Sequence, residues 1–519
     1  MSPETGPAAG PSAAAGPSVD TGLAGRLGEA LGAAGFTHDG VADLLGTTAH
    51  AALGRSETTP ALRRTAGGSP LETLTRLFLL QTPVRLEAAE AALSGSGGRP
   101  GGDGRRGLLD RLCAAGILER SVGEVAARLD CRPYADDERD LWVVSDLTPG
   151  LDGLPGTVGR DHVLGISGAS TSLAQLTLRE PVDAALDLGT GCGVQALHLA
   201  AHSRRVVATD VNARALWMAG FNAALNGLGA DRVDVRDGSF FEPVRDERFD
   251  LIATNPPFVI SPATGERLVY RDSGLPGDRV VEDIVRAAPG HLTPGGWCQV
   301  LANWAVRDDQ PWEERLADWV RDCDAWVVRR EVVDPAAYVE LWLKDAGLHG
   351  HPDYLDRYDT WLAWFEEQGI EAVGFGWINL RRTDQVPRLR WEEWPWEVEQ
   401  PIAPTVRAWA EAVRMLDRTD DESLLASHLV ARSDVRQETV GAPGAEDPHT
   451  IVLRQQRGLR RARKADTVEA ALVGACDGDL SVGRILEALA GLLEVDAAGA
   501  RTAYLPVVRE LVEEGFLEA

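Results

Sequence analysis

The chain has 519 residues, 79 Asp plus Glu against 52 Lys plus Arg, a formal net charge of −27 and 44% hydrophobic residues. At about 100 to 200 residues per domain this is too long for one compact domain, and the apolar content suffices for more than one core. The acidic balance argues against broad affinity for phosphate backbones or anionic membranes, since like charges repel at long range; a local basic patch is the one way round it.

Lys344 and Lys464 are the only lysines, a pattern read as coding bias of a GC-rich genome. Cys113, Cys131, Cys192, Cys298, Cys323 and Cys476 are scattered without a C-x-x-C pair, which offers neither a metal site nor a disulfide framework. The start Met-Ser-Pro-Glu-Thr-Gly lacks a basic region followed by an apolar one, and no apolar run reaches the length of a membrane span. The expectation is a soluble protein of a reducing cytoplasm, with no membrane partner.

Residues 1–20, mostly Pro, Ala, Gly and Ser, have little to bury and are expected to be a disordered tail. Residues 21–150 read as a mostly helical first domain. Leu23, Leu27 and Leu31, then Leu71, Leu74 and Leu77, recur at helical spacing. A Gly-rich loop from Leu93 to Arg106, a helix over Leu108, Leu109 and Leu112, and a strand at Leu141 to Val144 complete a winged-helix-like pattern. No basic face is evident there, so docking or structure is preferred to nucleic-acid binding.

Residues 151–385 alternate strands and helices: strands at Ala184–Leu188, Val206–Thr209, Val233–Val235, Leu251–Thr254 and Trp297–Ala302, with helices between. Repeated β-α-β units predict an α/β, doubly wound parallel sheet with right-handed crossovers. Strands at Ala325–Val332 and Ala372–Leu380 extend it, and Gly347 to Gly369, rich in His, Tyr, Trp and Asp, reads as an insertion between them. Residues 386–519 form a winged-helix-like C-terminal domain flanked by the basic run Arg454, Arg457, Arg460, Arg461, Arg463 and Lys464. A solvated helix face is the commoner origin of such a run, with nucleic-acid contact the alternative. The tryptophans between Trp361 and Trp396 are read as core packing.

The first strand runs into Asp187-Leu188-Gly189-Thr190-Gly191-Cys192-Gly193. Glycines at a strand-to-helix turn let a ligand approach the backbone, and the helix N-terminus adds free N–H groups. The spacing is G-x-G-x-G rather than the G-x-G-x-x-G of nicotinamide enzymes, Val194 standing at the third position of that fingerprint. Asp210 ends the next strand about 20 residues on, where an acid can accept both hydroxyls of a ribose. Ser239 and Phe240, after the third strand, are placed to flank an adenine ring, a core Phe being the plainer reading of Phe240. The fourth strand stops at Asn255-Pro256-Pro257-Phe258, because consecutive prolines cannot continue a ladder. An amide, a free backbone carbonyl and an aromatic ring are presented together there.

In this order, Asp187 to Gly193, Asp210 and Asn255 to Phe258 resemble the class I S-adenosylmethionine-dependent methyltransferases, specifically the N-methyltransferase branch that includes release-factor glutamine and rRNA or DNA amino methyltransferases. The resemblance covers residues 160–382. It implies a Rossmann-like methyltransferase sheet and S-adenosyl-L-methionine as cofactor, held by Asp187, Gly189, Thr190, Gly191, Gly193, Asp210, Asn212, Ser239, Phe240 and Asn255, with no metal. Where many relatives place an acid against the adenine, this chain has Ser239, with Asp237 nearby. Gly168-Ala169-Ser170-Thr171 resembles the segment covering the methionine moiety. Asn255, Pro256, Pro257 and Phe258 become the catalytic group, gripping the two hydrogens of a planar NH2 while the ring stacks on it. The loop Tyr270 to Asp278, with Arg271 and Asp272, is either a substrate loop or a helix entry capped by Asp278. The expected activity is N-methylation of a planar amide or amino nitrogen, a protein glutamine being preferred, with a translation component as partner. A nucleobase amino group is the alternative, and a catalytically silent binding fold the third reading.

Overall fold

The computed structural model describes residues 18–94, 107–136, 138–153, 159, 161–262, 275–442 and 449–519. Arg271 and Asp272, most of the 1–20 tail and most of the Gly-rich loop lie outside the described residues. The chain forms two compact units: Met1–Ala174, Arg179–Asp322 and Glu331–Ile378 make the first, and Gln175–Leu178, Cys323–Arg330 and Asn379–Ala519 the second.

In the first unit, helices α1 (Thr21–Ala33), α2 (His38–Leu53), α3 (Thr59–Arg64) and α4 (Pro70–Leu74) precede β1 (Val84–Arg85), α5 (Leu86–Leu93), α6 (Leu108–Ala114), β2 (Leu118–Arg120) and β3 (Glu124–Ala127). Asp20 belongs to this fold rather than to a tail: it accepts from Leu23 N at 2.9 Å to cap α1, and pairs with Arg111 at 2.7 Å. The small sheet has the order β1-β3-β2. The strand expected at Leu141 to Val144 is not part of it. It forms β5 (Asp140–Asp146), paired antiparallel with β4 (Leu129–Ala135), a strand the apolar pattern misses because Asp130, Arg132 and Pro133 interrupt it.

The helical region shares one core with the sheet domain that follows. Leu23, Leu27, Leu31 and Phe36 pack in the same cluster as Met218, Phe221 and Leu225. The latter three lie on α9 (Ala213–Leu225), which follows α7 (Gly168–Leu176), β6 (Val182–Leu188), α8 (Val194–Leu199) and β7 (Ser203–Asp210). Two amides on and just beyond α9 lock this contact. Asn222 accepts from Val144 N at 2.8 Å and donates to Val144 O at 2.8 Å and Cys192 O at 2.7 Å. One turn on, Asn226 accepts from Trp142 N at 2.9 Å and donates to Trp142 O at 2.8 Å. The helix thus completes the open edge of β5 as a neighbouring strand would.

Next come β8 (Val233–Asp237), β9 (Phe249–Thr254), α10 (Arg279–Ala287), β10 (Leu292–Arg307), α11 (Trp312–Ala317), β11 (Cys323–Val333), α12 (Pro335–Asp345), α13 (Tyr354–Glu367) and β12 (Ile370–Arg382). Within the first unit the sheet order is β8-β7-β6-β9-β10-β12, and the pairs β8/β7, β7/β6, β6/β9 and β9/β10 are all parallel. This is the Rossmann-like, doubly wound arrangement, with its switch point between β6 and β9. The expected insertion at Gly347 to Gly369 is mostly α13, and Trp361, Trp342 and Phe365 are buried with Tyr338 in one cluster. Asp278 does not cap α10 with its side chain. It is buried, accepting from Ala305 N at 2.8 Å and pairing with Arg315, so the carboxylate ties the helix entry to β10.

In the second unit β11 pairs in parallel with β13 (Leu389–Glu393). Helices α14 (Ala403–Asp417) and α15 (Asp421–Ala426) lead to β14 (Val430–Ala431) and to the antiparallel β15 (Val435–Val440), β16 (Thr450–Gln455) and β17 (Ala462–Ala465). Then α16 (Thr467–Ala475), α17 (Val482–Leu492) and α18 (Ala497–Glu513) end at β18 (Leu517–Glu518), which pairs with β14. Leu472, Leu486, Val508, Leu511 and Phe516 form its core. Half of the basic run is answered by acids of the same unit: Arg454 by Glu438, Arg461 by Glu392, and Arg463 by Glu469, Glu510 and Glu514. Of the tryptophans beyond α13, Trp377 is buried at 5% exposure, whereas Trp396 is 67% exposed and lies outside any core.

Replacing Asn222 by Ala leaves three backbone groups without their partner. The expected cost is on the order of 3 kcal/mol, read as a lower urea midpoint; an unchanged midpoint would show that the α9–β5 contact is incidental.

Candidate functional site

The parallel register places the strand ends together. Leu188 of β6 is opposite Thr209 of β7 on one side and Thr254 of β9 on the other, and adjacent strands lie about 4.8 Å apart. Thr254 Oγ1 donates to Leu188 O at 2.7 Å, stitching β9 to β6 at the last residue before Asn255. Gly189 N and Thr190 N both donate to Thr209 O, at 3.0 and 2.9 Å. The glycine turn, Asp210 and the Asn-Pro-Pro-Phe segment therefore leave the sheet from three neighbouring strands at one edge.

All three glycines of the turn are left-handed, with φ of 77° at Gly189, 55° at Gly191 and 87° at Gly193. A Cβ at Gly189 or Gly191 would meet nothing within 4 Å, so open space lies over them, whereas at Gly193 it would come 3.0 Å from Ala219 Cα. The first two positions leave room for a ligand, and the third permits close helix packing against α9. The free N–H groups expected at the start of α8 are partly used within the protein: Ala196 N donates to Asp187 Oδ2 at 2.9 Å. Thr190 turns inward too, donating to the same oxygen at 2.5 Å. Thr190 thus shapes the turn rather than facing a ligand.

Asp210 receives Gly191 N on one oxygen at 3.0 Å and Asn212 N on the other at 2.9 Å. Each oxygen keeps a second lone pair for a diol. Asn212 caps α9 through Arg214 N at 2.9 Å and donates to Asp161 O at 3.0 Å, so it bridges to the segment ahead of α7. Burial pushes the Asp187 carboxyl up to about 7, against the opposing hydrogen bonds from Thr190 and Ala196. Burial also raises Asp210.

After β8, Ser239 is exposed, and Phe240 is half-buried with φ at 45°, an uncommon conformation for a bulky residue. The neighbouring Phe241 takes the core position, stacked on His291 at 4.3 Å. Phe240 thus holds a left-handed backbone and stays half-buried while its neighbour enters the core. In the last segment Pro256 is buried, Pro257 exposed, and Asn255 and Phe258 half-buried. Asn255 Oδ1 is shielded from solvent and has no hydrogen-bond partner among the described residues, and Gln195 Oε1 on α8 shares that condition. Gln195 Nε2 donates to Ser170 O at 2.6 Å, joining α8 to the Gly168–Thr171 segment. An unpaired buried acceptor is costly unless something else fills it. Gln195, Asn222 and Asn226 escape sequence reading; the signal for the last two is a pair of amides four apart at the end of an apolar helix.

A family model for the methyltransferase small domain matches residues 166–329, and two domains of unknown function match residues 33–128 and 407–519. The chain is 38% identical over 130 residues to the release factor glutamine methyltransferase of Xylella fastidiosa, covering 23% of this chain and 46% of that protein. It is 39% identical over 125 residues to the ribosomal protein uL3 glutamine methyltransferase of Bradyrhizobium diazoefficiens, covering 22% and 39%. With ribosomal RNA small subunit methyltransferase C of Klebsiella pneumoniae it shares 31% over 189 residues, covering 36% and 49%. The chain thus spans less than half the length of each of these relatives. Residues 166–329 are a class I methyltransferase domain, the kind whose methyl donor is S-adenosylmethionine.

For the ligand-free protein, the raised Asp187 pKa has a signed consequence. Its protonated form is retained by the fold up to about pH 7, while the unfolded chain ionises it near the ordinary value of 3.8. The wild type should therefore lose stability relative to Asp187→Asn as pH rises from about 4 to about 7, with a constant difference outside that window. Urea midpoints of both proteins across the range check this; a flat difference throughout would mean that Asp187 is ionised in the fold.

Proposed function

We propose that the protein is an S-adenosylmethionine-dependent N-methyltransferase acting on a planar amide nitrogen, with a protein glutamine as the preferred target. The observation that carries this reading is Asn255 Oδ1, without a hydrogen-bond partner among the described residues, beside the Pro256 carbonyl and the half-buried Phe258, next to a glycine turn whose first two glycines have open space over them. An amide nitrogen is a poor nucleophile because its lone pair is conjugated. Asn255 Oδ1 and Pro256 O accept its two hydrogens, and Phe258 covers its plane, leaving the lone pair directed out of that plane. No strong base is needed in that geometry.

The glycine turn, Asp210 and Gln195 hold the cofactor: Asp210 takes the ribose hydroxyls, Gln195 Oε1 accepts a donor from the methionine end, and Phe240 with Ser239 borders the adenine. S-adenosylmethionine, when bound, supplies a sulfonium methyl for in-line displacement. Asp187, through Thr190 and Ala196, keeps the turn in shape.

Support for a glutamine comes from the acidic balance and from the relatives that act on a release factor and a ribosomal protein, which also suggest a translation component as partner. The likeness to an rRNA methyltransferase supports a nucleobase amino group as the second reading. The basic run argues against that reading, since three of its charges face acids of their own unit. In this proposal the winged-helix-like flanking domains dock the partner. No helix among the described residues is long and apolar enough to cross a membrane.

Asn255→Ala should lower methyl transfer by about 100- to 1,000-fold with S-adenosylmethionine affinity, measured by titration calorimetry, within twofold of wild type. Equal loss of both would make Asn255 structural, and failure of the native protein to bind the cofactor would remove the enzyme readings together. Tritiated methyl transferred into extract of a strain lacking the protein, then treated with protease or nuclease, separates the substrates. Label that survives protease and vanishes with nuclease would refute a protein target.

A further inference from the structure

The helices α12 and α13 lie beyond the matched methyltransferase segment, yet they hold the backbone immediately after the nitrogen clamp. Ile260, two residues past Phe258, has both its backbone groups engaged by them. Its N–H donates to Tyr338 Oη on α12 at 2.8 Å, and its carbonyl accepts from Trp361 Nε1 on α13 at 2.9 Å. Tyr338 Oη also receives Asn303 Nδ2 of β10 at 2.9 Å. Tyr338, Trp361 and Ile260 are each completely buried. From the same helix Trp342 sets its ring edge against Phe258, with centroids 6.2 Å apart, and Tyr338 lies 6.1 Å from Trp342.

These contacts exceed what packing alone requires. The segment from Asn255 to Pro262 has no ladder to satisfy it, because two prolines end the strand. Without Tyr338 and Trp361, a buried N–H and a buried C=O would be left unpaired. Their bonds come from opposite sides of one residue, so they fix both the position and the tilt of the peptide that follows the clamp. The Asn303 amide ties the same phenol to the sheet, and burial keeps that phenol protonated.

We infer that Tyr338 and Trp361 are positioning residues of the transfer site, holding the Asn255–Phe258 turn in register with the glycine turn. The inference rests on reading that turn as the nitrogen clamp. Neither side chain is assigned contact with substrate or cofactor. They act through Ile260, and Trp342 carries the same constraint to the Phe258 ring.

Tyr338→Phe deletes one oxygen, and Trp361→Phe deletes the indole N–H while keeping an aromatic ring, so either can stand in should the other fail to fold. Phe365→Leu is the control: Phe365 packs against Tyr338, centroids 5.9 Å apart, and lies on α13 without a bond to Ile260. Transfer from tritiated S-adenosylmethionine is followed over a dilution series of extract from a strain lacking the protein, with melting temperature and cofactor affinity measured alongside. Loss of register should lower the plateau rate by about 10- to 100-fold in both variants, with the half-saturating extract concentration and the cofactor Kd unchanged. The control should keep a near-native plateau at a comparable loss of melting temperature. A native plateau in Tyr338→Phe and Trp361→Phe, or one no lower than in Phe365→Leu, overturns the inference alone. A native protein that binds cofactor but transfers no label overturns the clamp reading and the inference with it, a result visible before any variant is compared.

Discussion

The site depends on the register of β9 beside β6. Parallel strands with Leu188 opposite Thr254 must release their following residues at the same edge of the sheet, and the Thr254 hydroxyl bonded to Leu188 O removes the freedom to slip by a residue. A one-residue slip would reverse which side chains face each layer. It would also separate the glycine turn from the Asn255 amide. Every other constraint at the site adjusts groups that this register has already brought together.

Polar groups inside the domain serve mainly to hold turns that have no ladder of their own. Asp187 shapes the glycine turn, Asp210 ties it to α9, Asn222 reaches its Cys192 carbonyl, and Tyr338 with Trp361 holds Ile260. Among the buried acceptors without a partner among the described residues, Asn255 Oδ1 and Gln195 Oε1 are the ones carried by the segment after β9 and by the helix after the glycine turn. In an interior of low effective dielectric, such exceptions are where binding energy is available. The helical N-terminal region takes part in this support, since its β4–β5 hairpin is bonded to the amides of α9. It is an integral wall of the first unit.

The second unit answers a question of charge. Arg414 with Asp324 and Arg461 with Glu392 form buried ion pairs, and Arg461 lies over the rings of Trp326 and Trp394 at 5.9 and 5.2 Å. Arginine suits such positions because its planar guanidinium stacks on a ring while its edge bonds a carboxylate. Half of what reads in one dimension as a basic run is neutralised within the unit, and Arg457, Arg460 and Lys464 are the exposed cations among the six.

The sequence by itself determined the sheet domain and the candidate residues at its edge. Short apolar runs ended by Gly-rich or Pro-Pro segments have one economical fold, and the chemistry of Asp187, Asp210 and Asn255 is carried by residues placed just past strand ends. Their local neighbours are enough to identify them. Only the tertiary structure decided which of these groups turn inward, which lie open and what holds them. Thr190 points inward while Gly189 and Gly191 lie open, Phe240 leaves the core that Phe241 enters, and Asp278 joins Arg315 rather than capping a helix. Tyr338 and Trp361 reach Ile260 across sequence separations of 78 and 101 residues. Periodicity records which face of an element is apolar; it holds no record of a single hydrogen bond made across the fold, because that depends on where other elements come to rest.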